Sequence, residues 1–141
     1  MESSTRTDTA ATSSGAAVIT RSFDVLVIGG GTAGITAAAQ LRRRDSKLDV
    51  GIIEPSDTHY YQPAWTLVGG GDFDLEDTAR PERDVIPRGA TWLKDRAETI
   101  DPEEKWVETK NGERSGYDYL VVAPGIQIDW DKIEGLEGAV G

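Results

Sequence analysis

The 141-residue sequence has no cysteine and only one histidine, His59. The first absence removes disulfides, thiolate nucleophiles and cysteine-based metal sites, and the second removes a histidine-rich metal site, so no metal is expected. Positive charge is also scarce. With 15 Lys and Arg against 25 Asp and Glu, the net charge is −10. Nucleic acid is therefore not an expected partner, because neutralising its phosphates needs clustered Lys and Arg. The one basic cluster, Arg42-Arg43-Arg44, falls where a helix should end and reads as complementing the helix dipole. No apolar run is long enough to cross a membrane as a helix, which leaves monotopic attachment by parts of a longer protein open. Hydrophobic residues at 38% and charged residues at 28% fit a globular chain of one domain.

Residues 1–21 are rich in Ser, Thr and Ala and show neither amphipathic period nor the positive and apolar regions of a secretory signal. They read as a disordered extension, and residues 22–141 as the folded part. Order is expected from Phe23. "FDVLVI" is a nearly continuous apolar run of the kind buried on both faces of a parallel sheet. "GGGTAG" and then "ITAAAQLRRR" follow, a glycine turn opening a helix, and "DVGII" is a second apolar strand closed by Glu54-Pro55. Together they form a βαβ unit of about 30 residues. The polar stretch from Gly71 to Ala90, broken by Pro81 and Pro87, reads as loop with one short helix. Beyond it, "TWLKDRAETI" and "KWVETK" read as strands, Asn111-Gly112 as a hairpin turn, and "YDYLVVAPG" as a further buried strand ending in a turn.

Gly29, Gly31 and Gly34 make G-x-G-x-x-G between a strand and a helix, the context that gives this spacing meaning. Gly29 permits the tight turn, Gly31 the close approach of backbone to a pyrophosphate, and Gly34 close packing of helix on strand. Thr32 and Ala33 then sit at the helix N-terminus, where free N–H groups and a partial positive charge favour phosphate. Glu54 follows Gly34 by 20 residues at the end of the second strand. There a carboxylate accepts from a ribose hydroxyl, and its charge disfavours a 2′-phosphate. The fold class is thus α/β, a Rossmann-like dinucleotide-binding domain with a βαβ unit and a β-meander. The fingerprint alone admits FAD or NAD. A simple NAD dehydrogenase would continue with βα units, whereas residues 91–123 are rich in hairpins.

Four stretches narrow the reading: "VLVIGGGTAGITAAAQLRRR", "IIEPSDTHYYQPAWTLVGGG", "VIPRGATWLKDRAETIDP" and "YDYLVVAPGIQIDWDKIEGL". From about Phe23 to Leu136 they resemble the N-terminal part of the sulfide:quinone oxidoreductase family, in its mitochondrial-like branch. "EPS-x-x-HYYQP-x-WTLVG" is the most specific of them. The usual A-T-G-like turn here reads Ala123-Pro124-Gly125. The resemblance implies a two-domain flavoprotein on a membrane surface that oxidises hydrogen sulfide to sulfane sulfur and passes electrons through FAD to a quinone. It implies FAD contacts at Thr32, Ala33, Glu54, Gln62 and, through its backbone, Ala97. It also implies that the redox cysteines lie further along the chain, so no catalytic residue is assigned among these 141. On this reading the chain is a fragment that holds an incomplete FAD-binding domain, soluble and cytoplasmic by itself and inactive alone.

Two other readings stand beside this one: a type II NADH:quinone dehydrogenase-like flavoprotein, and a non-catalytic remnant that binds a dinucleotide. His59 is read as structural or solvated ahead of a proton donor. The four tryptophans are read as packing anchors, and Lys94, Asp95 and Arg96 as solvated strand charges. "HYYQPAWTLVGGG" is expected to follow the cofactor site as a short helix, with Pro63 in its first turn and Gly69–Gly71 at its end.

Overall fold

A computed structural model describes residues 18–127 and 129–135, with residue 130 as backbone alone. Residues 1–17 of the expected extension (1–21), together with residues 128 and 136–141, lie outside the described residues. The first strand, β1 (Ile19–Ile28), begins four residues before Phe23. This corrects the expected start of order. The outer half of β1 is exposed and carries no apolar run, but it still pairs, with Ile19 opposite Arg114. Thr20 also donates its hydroxyl to the Arg114 carbonyl at 2.9 Å. A ladder of backbone bonds needs no apolar side chains, so hydrophobic patterning alone misses this extension.

From Val25 to Ile28 β1 is buried, because it occupies the middle of the sheet. After it come α1 (Thr32–Arg44) and β2 (Val50–Ile53), which pairs parallel to β1. A small lobe follows: β3 (Thr58–Tyr60), a 3-10 turn over Gln62–Ala64, α2 (Trp65–Gly70), a 3-10 turn over Leu75–Thr78, β4 (Ala79–Pro81) and α3 (Glu82–Val85). Then come β5 (Ala90–Leu93), β6 (Ala97–Asp101), β7 (Trp106–Thr109) and β8 (Arg114–Val122). The main sheet has the order β5-β2-β1-β8-β7-β6, and β3 and β4 form a separate antiparallel pair. The strands β5, β2, β1 and β8 run parallel, and β8, β7 and β6 form an antiparallel meander. This is the mixed α/β, Rossmann-like arrangement expected of the sequence.

The stretch "TWLKDRAETI" divides where one continuous strand is not possible. β5 joins β2, and β6 goes to the opposite edge of the sheet. Polar side chains hold the break. Asp95 accepts from the Asn111 and Arg96 amides, and Lys94 pairs with Asp57. Asp95 is therefore a turn residue and not a solvated strand charge. The hairpin at Asn111-Gly112 forms as expected, with Gly112 at φ +81° joining β7 to β8.

Two apolar clusters lie on the two faces of the sheet. On one face, Val25, Val27, Val50 and Ile52 pack with Ala38, and Leu41 of α1 covers them. On the other, Phe23, Leu26, Ile28, Ile53, Val107 and Tyr117 pack together with Leu93 and Ala97. This second cluster thus draws side chains from β5 and β2 at one edge and from β7 and β6 at the other. Arg42 does more than complement a dipole: its guanidinium donates to the Ser46 and Leu48 carbonyls and ties α1 to the loop before β2. Among the described residues no helix is long and apolar enough to cross a membrane.

α1 sits close to β1 because Gly34 has no side chain. A Cβ there would overlap the Gly29 carbonyl oxygen, which is backbone and cannot rotate away. Gly34→Ala is expected to cost about 1–3 kcal/mol of stability or more, as overpacking does. Denaturant unfolding of the two proteins checks this, and an unchanged midpoint would contradict the close packing.

Candidate functional site

The carboxyl ends of β1, β2 and β8 meet the N-terminus of α1 around a cavity of about 670 Å³. That volume suits a small-molecule or cofactor site. Gly30, Gly31, Thr32 and Ala33 line one side, Glu54 and the lobe residues His59, Gln62 and Glu82 another, and Ala123–Ile126 a third.

The glycine turn is the floor. Gly29, at φ +102°, donates its N–H to the Ile53 carbonyl at 2.9 Å and passes so near Ala123 that a Cβ would overlap that residue's carbonyl. Gly31 caps α1 without any side-chain hydrogen bond, and no acidic residue stands in the helix's first turn. The N–H groups there are left free to receive an anion. A Cβ on Gly31 would meet nothing within 4 Å, so its open side faces the cavity.

Gly30, which the spacing rule treats as any residue, is just as constrained. Its N–H donates to Glu54 Oε2 at 2.8 Å, and a Cβ there would crowd both the Glu54 stem and Glu82 Oε1. Glu54 also accepts from the Ser56 amide through Oε1 at 2.7 Å. Its own carbonyl accepts from Trp92 Nε1 at 2.9 Å, and its amide donates to the Leu93 carbonyl. This carboxylate is held at the strand end from several directions. It keeps lone pairs for a ligand hydroxyl, since each oxygen accepts more than one bond.

The structure brings Gly31, Thr32, Ala33, Glu54 and Gln62 to the cavity wall. Gly29 and Gly34 lie beneath it as packing positions. Ala97 is not among the lining residues. It opens β6 opposite Thr109 and packs against the core on the Leu93 side. His59 is buried, with Nδ1 3.2 Å from the Gly30 carbonyl and 3.7 Å from Glu82 Oε2, so its ring braces the glycine turn. Trp92 is a hydrogen-bonded anchor rather than packing alone, and Trp65 donates to Thr78 Oγ1 while its ring meets the edge of Tyr60. Arg114 stacks 3.8 Å over Trp106, and the Trp130 side chain lies outside the described residues.

Glu82 is the residue that reading the sequence missed. Only 1% exposed, it lies under Gly30, and its Oε1 has no hydrogen-bond partner. Burial first, and then the neighbouring charge of Glu54, push its carboxyl up to about 7. Nothing in "ARPERDVIP" signals this. Glu82 reaches the site because β4 pairs with β3, His59 opposite Arg80, and because the Glu82 amide donates to the Asp57 carbonyl at 2.8 Å.

The sequence matches the pyridine nucleotide-disulphide oxidoreductase family over residues 23–140. It is 48% identical to the mitochondrial sulfide:quinone oxidoreductase of Dictyostelium discoideum over 118 residues, which are 83% of this chain and 26% of that protein. The chain therefore spans about a quarter of the length of that curated relative. Among solved structures, the sulfide:quinone oxidoreductase of Aquifex aeolicus superposes with a TM-score of 0.67 at 31% identity, over 80% of this chain and 26% of that one. NDH2 of Plasmodium falciparum, solved with NADH, superposes at 0.63 with 18% identity, over 82% of this chain and 24% of that one, a likeness of fold alone.

The Glu82 carboxyl sets a pH dependence of stability. In the unfolded chain it ionises near its ordinary value of 4.5, and in the fold it keeps its proton to about 7. Its contribution is therefore present at low pH and lost as pH rises from about 4.5 to about 7. The melting temperature of the natural protein is expected to fall across that window relative to Glu82→Gln. Parallel curves for the two would refute the assignment.

Proposed function

The chain belongs to the pyridine nucleotide-disulphide oxidoreductase family, and we propose that it is the FAD-binding N-terminal part of a sulfide:quinone oxidoreductase. The observation that carries the cofactor reading is the open helix N-terminus at Gly31–Ala33, facing across one cavity to the Glu54 carboxylate. A dinucleotide needs this pairing of opposite charges: donors for its pyrophosphate and an acceptor for its ribose. The absence of any side chain at Gly31 gives a phosphate room to reach the backbone. The Glu54 charge at the ribose end disfavours a cofactor with a 2′-phosphate. The identity shared with the Dictyostelium protein supports the substrates, hydrogen sulfide and a quinone, and the family resemblance supports a peripheral place on a membrane for the whole enzyme.

When bound, FAD would supply two-electron transfer. The residues of this chain bind and orient it. The N–H groups of Thr32 and Ala33 hold the pyrophosphate, Glu54 takes the ribose, and Gln62 borders the path from there along the lobe. Ala97 is proposed as a backbone contact on the strength of the family resemblance alone. This chain has no cysteine to accept or relay sulfur, so the sulfide chemistry of the enzyme is assigned to residues outside it.

Two measurements test the proposal. In the complete natural protein, Glu54→Ala is expected to weaken FAD binding by about 1–3 kcal/mol, the value of hydrogen bonds to a charged group. Titration of the apoprotein by flavin fluorescence checks this, and unchanged affinity would remove Glu54 from the ribose. Residues 1–141 alone are expected to retain FAD weakly or not at all, because Tyr119 at 73% and Val122 at 56% exposure leave the end of β8 uncovered beside the cavity. Stoichiometric yellow protein from that segment would contradict this.

A further inference from the structure

Glu82 has no part in the roles given so far, yet it is the least exposed of the buried polar residues. Three elements face it. Glu54 comes from the end of β2, and a Cβ on Gly30 would meet both acids at once. His59 comes from β3, with Nδ1 3.7 Å from Oε2 and also turned to the Gly30 carbonyl. From its own segment, Arg80 donates to the Asp77 and Ala79 carbonyls, and Arg83 pairs with Asp84 at the surface. The nearby Asp57 side chain is taken by Lys94. Among these neighbours no fixed cation touches the Glu82 carboxyl, and Oε1 is left without any donor. A carboxylate enclosed in this way is costly, whereas a neutral carboxyl there fills the space without a buried charge.

We propose that Glu82 is a positioning residue for the dinucleotide site: in its neutral form it supports Glu54 and the Gly30 turn in the arrangement that receives ribose and pyrophosphate, and its ionisation loosens that arrangement. The proposal rests on the FAD reading above for its ligand. Two charges crowded on the Cβ side of one glycine repel, and the less buried partner is Glu54, whose carboxylate holds the Gly30 N–H. Once Glu54 swings away, the turn loses its brace and the ribose its acceptor. Gln at position 82 keeps the size and neutrality of the protonated acid at every pH.

The complete natural protein and its Glu82→Gln and Glu82→Ala variants test this, with two readouts. In the first, FAD affinity is followed from pH 6 to pH 8.5. The natural protein is expected to weaken by roughly tenfold as pH passes through the range where Glu82 ionises, the effect of about one unit of coupling between the two acids. Glu82→Gln is expected to stay flat at the tighter value, and Glu82→Ala to be weaker throughout. The second readout needs no cofactor. Amide exchange of the peptide containing Gly30 is compared between natural protein and Glu82→Gln at each pH, so that intrinsic exchange rates cancel. The ratio is expected to rise with pH in favour of faster exchange in the natural protein. Parallel affinity profiles, or an exchange ratio that ignores pH, would overturn the proposal. Absence of FAD binding at any pH, with Gly30 exchange still following Glu82, would sink the flavin reading and uphold the positioning role.

Discussion

The site depends on how closely three stretches of backbone pass one another at Gly29. The end of β1 turns there at φ +102°, β8 ends against it through Ala123, and α1 starts close enough for Gly34 to pack on its carbonyl. The Gly29 amide is meanwhile bonded to Ile53 at the end of β2. One residue without a Cβ thus ties the central strand to both parallel neighbours and to the helix. If any of these spacings widened, the N–H groups of α1 would no longer stand opposite the strand ends. The cavity follows from parallel pairing and right-handed connection, since ligands of such sheets bind beyond the carboxyl ends of the strands.

Close packing also sorts charge. The Gly30 N–H is spent on Glu54, so it does not add to the donors available for phosphate. The free donors begin at the start of α1, one residue further on. The anion-attracting and proton-accepting halves of the cavity are thereby separated along the chain by a single glycine. The charge of the negative half is carried by Glu54, with Glu82 behind it. Two carboxyls cannot both be ionised there cheaply, and burial decides that the enclosed one keeps its proton.

The βαβ unit, its glycine turn and Glu54 were legible in the sequence because each depends on local pattern. An apolar run, a helix former series and an acid at a fixed distance are all read from neighbours along the chain. The same holds for α2, which runs from Trp65 to Gly70 and stops at Gly71 with φ +79°. The early start of β1 was not legible, because Ile19–Ser22 owe their order to a partner strand some 95 residues away rather than to burial. The break between β5 and β6 was hidden for a similar reason: Asp95 and Lys94 look like ordinary strand charges until their partners at Asn111 and Asp57 are in place. Glu82 is the extreme case. In sequence it is one acid in a polar stretch, and only the short β3–β4 pair makes it a buried one.

That pair gives the aromatic stretch at residues 59–71 a role that its composition does not announce. His59 could serve as a proton donor only if its ring faced the ligand freely, and instead Nδ1 is turned to the Gly30 carbonyl with Glu82 beyond it. The ring is the rivet between the lobe and the glycine turn. A lobe attached in this way transmits its position to the floor of the cavity, and Gln62, three residues on, inherits its place there from the same attachment. The specificity of this stretch then lies in where it holds its neighbours. A substitution of His59 should disturb the turn at Gly30 before it disturbs any proton transfer, because the backbone carbonyl it braces belongs to the same peptide segment that leads into the open N-terminus of α1.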